Sequence, residues 1–382
     1  MSTMPNAVEL TRRLVQFNTV NPPGNERECA RYLGGLLESV GFSVRYYEFA
    51  EARTTLVATC MGSGSKKPLC FTGHLDVVPL GQRPWSVDPF AAEVSEGKLF
   101  GRGASDTKSG VAAFVAAAAE MQQMLAKGPG VVLVITAGEE TGSAGAFQVA
   151  RLGANALGEA GAIVVAEPTG NYPMVGHRGA LWLKLWTRGV TAHGSMPHKG
   201  VNAIYKMSRI VNKLERFKFD ISPHPVMGAC TLNVGTISGG LNINSVPDHS
   251  EIGIDIRTVP GADHEQLKRS LRDYLAPELE GMEALIDFSS VWTDPSDRWV
   301  QEVFEIMASI LKKPIEPAAA PYFTDAAALT PAYGGVPTII LGPGEIEMAH
   351  QTDEFCYVTK IEQAAAAYRA IIERWHSTSH SA

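Results

Sequence analysis

Seven residues could do chemistry together: His74 and Asp76 in FTGHLDVVP, Asp106 in GRGASDTKSG, Glu139 and Glu140 in ITAGEETGS, Glu167 in VVAEPT, and His350 in MAHQTDE. Most of them stand where an apolar run gives way to a turn. A buried strand has little use for a charge at its tip. Imidazoles and carboxylates gathered there point to divalent metal, most economically two ions, and so to hydrolysis. Histidine and carboxylate ligands without thiolate suit zinc, with cobalt or manganese as substitutes. The charges also balance. Two divalent ions bring four positive charges, Asp106, Glu140 and Glu167 bring three negative ones, and a hydroxide brings the fourth, so the buried centre would be close to neutral.

Taken singly, each residue is less telling. His74 and Asp76 are two apart at a strand end and project to the same side. A metal-bound imidazole usually gives its other N–H to a carboxylate or carbonyl, so Asp76 is placed to orient His74, directly or through its backbone; alone, the pair reads equally as a surface turn. Asp106 follows a Gly-rich turn and precedes a helix. Its two oxygens could bridge two metals, yet alone it reads as a helix N-cap. GRG is not a phosphate loop, because the GxxxxGK[ST] spacing is missing. Glu139 and Glu140 are adjacent and point different ways, so one can ligate while the other serves as general base. Glu167 repeats the arrangement after AIVVA, with Pro168 stopping the strand. A lone His350 would be structural or solvated; the other six give it a role.

The elements that must position these residues can be read from apolar periodicity. Leu69–Thr72, Val131–Thr136, Ala162–Ala166 and Thr338–Leu341 are continuous apolar runs, as in strands covered by helices on both faces. Helices are expected over Glu26–Val40, capped by Asn25 and stopped by Gly41, over Ala-rich Lys108–Lys127 and over Lys360–His376. The middle differs. Leu181, Leu183 and Leu185 alternate with Trp182, Lys184 and Trp186, and Ile252, Ile254 and Ile256 with Gly253, Asp255 and Arg257, which implies a sheet with two unlike faces. Helices are expected over Asn202–Phe217 and from Asp263, with Gln266 in capping-box spacing. The expected fold is therefore a layered α/β catalytic domain, residues 1–175 and 289–382, interrupted at 176–288 by an inserted α+β, ferredoxin-like domain.

Composition narrows the class. The 382 residues exceed one ordinary core, and 45% hydrophobic with 19% charged residues marks a globular chain. A net charge of -7 argues against a sequence-independent nucleic-acid binder. No apolar stretch reaches the roughly 18 residues of a membrane helix, so no membrane partner is expected. MSTMPNAVELTRRL has no apolar signal core, which points to the cytoplasm. Cys29, Cys60, Cys70, Cys230 and Cys356 form no CxxC pair and read as reduced structural thiols.

In family order, GHLDVVP, GRGASDTKSG, GEET, EPT and AHGSMPHKGVNA together resemble the M20 family of metallohydrolases, the group of acetylornithine deacetylase, succinyl-diaminopimelate desuccinylase, aminoacylase and glutamate carboxypeptidase. The resemblance covers nearly the whole chain. It implies that Asp106 bridges two zinc ions, that His74 and Glu167 hold one and Glu140 and His350 the other, that Glu139 is the base and that Asp76 orients His74. It also implies a cis Asp106–Thr107 peptide, a lid that often dimerises, hence a homodimer, and an oxyanion role for His193 in TAHGS. Taken alone, His193 is a strand-end surface histidine.

The implied reaction is hydrolysis of the amide of a small-molecule N-acyl amino acid, with the tail AHQTDEF most like acetylornithine deacetylases. A dipeptidase or carboxypeptidase, or a hydrolase of an unusual amide or aryl amine, is the alternative on the same scaffold. Such substrates carry a carboxylate, so a cation is expected. Arg257 on an alternating strand is the first candidate and Arg178 in GHRG a weaker one, with Asn242 and Asn244 in GGLNINSVPD as hydrogen-bond donors. Each also reads as a solvated charge or turn residue. A non-catalytic scaffold on a degenerate hydrolase fold is disfavoured because all seven residues are present. A nucleotide-binding fold is disfavoured because neither GxGxxG nor a P-loop occurs at a strand–helix junction.

Overall fold

The computed structural model describes residues 4–377. The chain divides into two compact units. The first takes the described residues of Met1–Gly176, Trp292–Ala320 and Thr324–Ala382; the second takes His177–Val291 with Pro321–Phe323.

In the first unit a six-stranded sheet runs in the order Ser43–Ala50, Arg53–Met61, Gly130–Thr136, Leu69–His74, Ala162–Val165, Thr338–Ile340. Its last four strands are parallel neighbours, and Arg53–Met61 pairs antiparallel with Gly130–Thr136 on one side and with the edge strand Ser43–Ala50 on the other. The apolar runs are buried along their whole length, because helices cover the sheet. Phe71 stacks on Phe114 at 5.8 Å and meets the edge of Tyr368 at 5.3 Å, which ties the sheet to the helices Lys108–Glu120 and Val358–Ser377. A phenylalanine this enclosed is worth about 3–5 kcal/mol relative to alanine.

The alanines of Lys108–Glu120 let that helix lie close to the strands. At Gly110 the approach is closest: a Cβ there would stand 2.2 Å from the carbonyl oxygen of Ala166. This glycine sets the helix start against the end of the strand that leads to Glu167. The helix ends at Glu120, and a separate turn, Gln122–Leu125, follows; the single helix to Lys127 is not formed. The helix at Arg27–Ser39 begins after Glu26 rather than Asn25. The Glu26 carboxylate is drawn instead into a buried pair with Arg53, at 3.1 and 2.8 Å from its Nε.

The second unit follows the order strand, helix, strand, strand, helix, strand. Its antiparallel sheet runs Thr231–Gly239, His249–Thr258, Gly179–Arg188, Gly281–Phe288. The alternation decides the faces: Ile252, Ile254 and Ile256 pair with Leu185, Leu183 and Leu181. Their buried side chains meet Met207, Ile210, Leu267 and Leu271 from the helices Ala203–Leu214 and His264–Leu275. Asn202 and Asp263 cap those helices by accepting from the Tyr205 and Gln266 amides. Pro321–Phe323 belongs here, although the sequence places it with the other domain; Phe323 packs on Trp182 at 6.1 Å and on Phe288 at 5.1 Å. All five cysteines are buried and unpaired.

Candidate metal centre

Three adjacent parallel strands end together, and ligand sites in open α/β sheets lie outside such carboxyl ends. His74 closes the strand Leu69–His74 in register with Thr136 of its neighbour. Glu139 and Glu140 follow that neighbour, and Glu167 follows Ala162–Val165. Asp106 arrives from the loop before the helix Lys108–Glu120, and His350 from the segment after Thr338–Ile340.

The side chains form two groups that share one residue. His74, Asp106 and Glu167 bring ligand atoms within 4.8 Å of one another, and so do Asp106, Glu140 and His350. The Asp106 carboxylate lies between the two: Oδ1 is 3.1 Å from His74 Nε2, and Oδ2 is 3.4 Å from His350 Nε2. His350 Nε2 is also 3.1 Å from Glu140 Oε2, and His74 Nε2 is 3.7 Å from Glu167 Oε1. Glu139 is buried beside both groups and belongs to neither. The Asp106–Thr107 peptide is cis. Asp106 does not cap the helix, whose cap position is Thr107.

Asp76 acts in two directions. Its backbone carbonyl stands 2.9 Å from His74 Nδ1, which leaves Nε2 facing the centre. Its carboxylate, 3.7 Å from that ring, instead accepts the amides of Gly138, Glu139 and Glu140 at 2.8, 3.1 and 3.2 Å. Asp76 thus fixes the loop that carries both glutamates, a positioning role rather than contact with the reacting atoms. Gly138, at φ 80, supplies the left-handed turn that aims those amides at one carboxylate. Asn21 completes the support by donating to Asp76 Oδ2 at 2.8 Å and to Thr141 Oγ1 at 2.9 Å.

The residues fit divalent cations. Among the described residues Glu140 Oε1 and Glu167 Oε1 are buried without a hydrogen-bond partner, a costly state for a carboxylate unless an ion takes the lone pairs. Burial, together with the nearby Asp106 charge, raises both carboxyls to about 7 against the pull of the histidines. Burial raises Glu139 well above the usual range, and the charges of Glu167, Asp325 and Glu140 add to it. His350, bonded to Asp106 and Glu140, rises to about 10. Burial opposes protonation of His74, but Glu167 and Asp106 outweigh it and hold its pKa well above the usual value. The acids outnumber the cations that could balance them, which is the electrostatic signature of a metal site.

One consequence is measurable. Carboxyls held near 7 and histidines held above their usual range must lose protons when a metal binds, so metal affinity falls as pH drops through 7 and keeps rising above it until His350 is deprotonated near 10. The expected slope for zinc is about tenfold per pH unit for each proton displaced. Calorimetric titrations in buffers of different ionisation enthalpy read the proton release directly. A pH-independent affinity between pH 7 and pH 5 would contradict this electrostatic account.

The remaining candidates lie in the second unit. The exposed His193 pairs with Ser245 through the backbone, and the neighbouring Gly194 amide donates to the Asn244 carbonyl at 2.7 Å. His193 Nδ1 accepts the Ser195 amide at 3.2 Å, which places the ring proton on Nε2. Asn242 and Asn244 are exposed. Arg257 is already engaged: its Nε is 2.9 Å from Asp255, and its guanidinium lies 6.0 Å from the Trp182 ring centre. Arg178 spends one nitrogen on the carbonyls of Ala229 and Arg257.

Sequence reasoning passed over Asn21, Asp325, Arg102 and Glu354. Asp325, at the N-cap position of the helix Ala326–Ala332, is buried, and its side chain accepts from Thr136 Oγ1 instead of capping the helix. Glu354 accepts the Asp106 amide at 3.0 Å.

The chain is similar to known proteins over almost its whole length. Peptidase family M20/M25/M40 matches at residues 70–374. An acetylornithine deacetylase of Proteus mirabilis is 30% identical over 390 residues, covering 97% of each chain. A probable succinyl-diaminopimelate desuccinylase of Staphylococcus epidermidis is 30% identical, covering 96% of this chain and 98% of the relative. An M20 family metallo-carboxypeptidase of Sulfolobus solfataricus shares the fold at a TM-score of 0.80 and 18% identity, covering 98% of this chain and 100% of the other.

Proposed function

We propose, on the premise that the chain belongs to peptidase family M20/M25/M40, that it is a metal-dependent amidohydrolase releasing the acyl group of an N-acyl amino acid. The carrying observation is the Asp106 carboxylate shared by two ligand groups, with Glu139 buried beside both. We assign His74, Asp106 and Glu167 to one ion and Asp106, Glu140 and His350 to the other. The all-nitrogen-and-oxygen donor set favours zinc, with cobalt or manganese as substitutes.

When bound, the ions would supply an acidified water and a polarised carbonyl. The protein's own groups do the rest. Glu139 accepts the proton of the attacking water and passes it to the leaving nitrogen. Asp76 and Asn21 hold the Glu139–Glu140 loop still while this happens. His193, with its proton on Nε2, is suited to donate to the oxyanion. Arg257 is the first cation for a substrate carboxylate, although its pairing with Asp255 spends part of its charge. Asn244 and Arg178 are the further substrate-binding candidates.

We also assign the protein to a homodimer. The strand Thr231–Gly239 is an edge strand, and exposed apolar side chains cluster on it and nearby in sequence, namely Ile237, Leu241 and Ile243. Ile204 and Tyr205 on the adjoining helix are exposed too. An apolar sheet edge of this kind favours pairing with a second copy.

Hydrolysis of a panel by purified protein, with and without zinc or cobalt, tests the activity. N-acetylornithine, N-succinyl-diaminopimelate, N-acetyl-methionine, an N-acyl glutamate and dipeptides suffice. Metal-dependent cleavage of an N-acyl amino acid is the expected result. Cleavage of dipeptides alone would move the assignment to a dipeptidase or carboxypeptidase, and silence across the panel to another amide. Light scattering on the same sample should return twice the chain mass; a monomer mass would remove the dimer.

A further inference from the structure

We infer that Glu354, which belongs to neither ligand group, is a positioning residue that locks the loop carrying Asp106 so that one carboxylate faces both histidines. The inference rests on the two-metal assignment proposed above.

The loop between the strand Lys98–Phe100 and the helix Lys108–Glu120 has no ladder of its own, so its amides must find partners elsewhere. The register of a neighbouring strand supplies them. Phe355 pairs with Phe100, Cys356 with Leu99 and Tyr357 with Lys98. One step further along the same ladder, the Gly101 amide donates to the Glu354 carbonyl at 2.8 Å. That step delivers the Glu354 side chain under the loop.

Four donors then converge on its carboxylate. Oε1 accepts the amides of Ser105 and Asp106 at 2.8 and 3.0 Å. Oε2 accepts the Gly103 amide at 3.0 Å and Arg102 Nη1 at 2.7 Å. Successive backbone amides in a turn make an anion-binding recess, and here the chain fills that recess with its own carboxylate. Both Glu354 and Arg102 are 1% exposed. Arg102 also donates to the Pro79 carbonyl at 3.2 Å and stacks its guanidinium over Trp85 at 5.1 Å.

Two features make this more than a buried counterion for Arg102. Three of the four donors are backbone amides of the loop, and one of them is the amide of Asp106 itself. Glu354 also lies four residues beyond His350, so one short segment supplies a ligand to the second ion and the clamp on the bridging residue. Displacing Glu354 would therefore disturb the one carboxylate that faces both His74 and His350, that of Asp106.

The test follows zinc release from the loaded full-length protein into excess chromogenic chelator. Wild type should release both ions slowly, and Glu354→Gln about 10- to 100-fold faster, the usual cost of losing an outer support of a metal ligand. Circular dichroism and thermal unfolding on the same samples establish that the variant is folded at the assay temperature. Glu354→Asp separates the two roles. It keeps the charge beside Arg102 but withdraws the carboxylate by one methylene. A mere counterion would leave its release rate at the wild-type value, whereas a positioning residue makes release faster here too.

Hydrogen exchange on loaded wild type gives a reading that needs no variant. The amides of Gly103, Ser105 and Asp106 should exchange as slowly as those of the central strands. Rapid exchange there overturns the clamp, as does an unchanged release rate in folded Glu354→Gln. A wild type that retains no zinc after loading overturns the two-metal assignment, and the role of Glu354 falls with it.

Discussion

Glu139→Gln keeps both metal ions and lowers kcat by about 10³-fold, with KM little changed. The size follows from the role: a positioned general base is worth about 10²- to 10⁴-fold. Glutamine preserves the volume in a buried site and leaves the backbone amide free to donate to Asp76, which accepts it at 3.1 Å. It removes only the ability to take a proton. Glu139 lies outside both ligand groups, so metal content should not move. Burial and the carboxylates around it push its pKa well up, which would leave it protonated and useless as a base. Cations bound at the neighbouring groups offset that pressure and return it to the ionised form. Elemental analysis beside steady-state kinetics checks the claim. Turnover near wild type would remove Glu139 as the base, and loss of metal would move it into the ligand set.

The site residues that follow strands were legible because charge is out of place there. His74, Glu139, Glu140 and Glu167 each end an apolar run, and the parallel register of three adjacent strands brings those ends together. Asp106 and His350 carried no such mark. Asp106 sits in a loop whose conformation depends on Glu354, and the hydrogen bond that fixes it spans 248 positions. A short motif cannot record a partner that far away. The same holds for Asn21, whose contact with Asp76 spans 55 positions. Spacing left Asp76 two ways to orient His74, by its carboxylate or through its backbone, and the second is found: the carbonyl meets His74 Nδ1 while the carboxylate turns to the Gly138–Glu140 amides, because three unpaired amides bind a carboxylate better than one imidazole already held by a carbonyl. In the second unit, alternation fixed which residues of the strands face the helices, since period two admits one inward set. It did not show that Arg257 would meet Asp255 on its own strand two residues away. Nor does any glycine or proline mark the end of the helix at Glu120.

Asp106→Ala is the substitution expected to empty the whole centre. Each other ligand serves one group, whereas Asp106 is common to both, with Oδ1 toward His74 and Oδ2 toward His350. Glu140→Ala should therefore cost one ion per chain, and Asp106→Ala both, with activity falling to background in each solution assayed without excess metal. The difference is one of geometry and charge together. Without the shared carboxylate two cations would approach each other with one fewer negative charge between them, and their mutual repulsion in a buried site rises. The fold should survive, because the backbone amide of residue 106 still reaches Glu354 and the Thr107 hydroxyl still donates to the Ala166 carbonyl. Elemental analysis after gel filtration, read beside circular dichroism, measures both points. A folded Asp106→Ala protein that keeps two ions would show that the groups are independent sites rather than one bridged pair. A folded protein that keeps one would place Asp106 on a single ion and leave the other held by its remaining ligands alone.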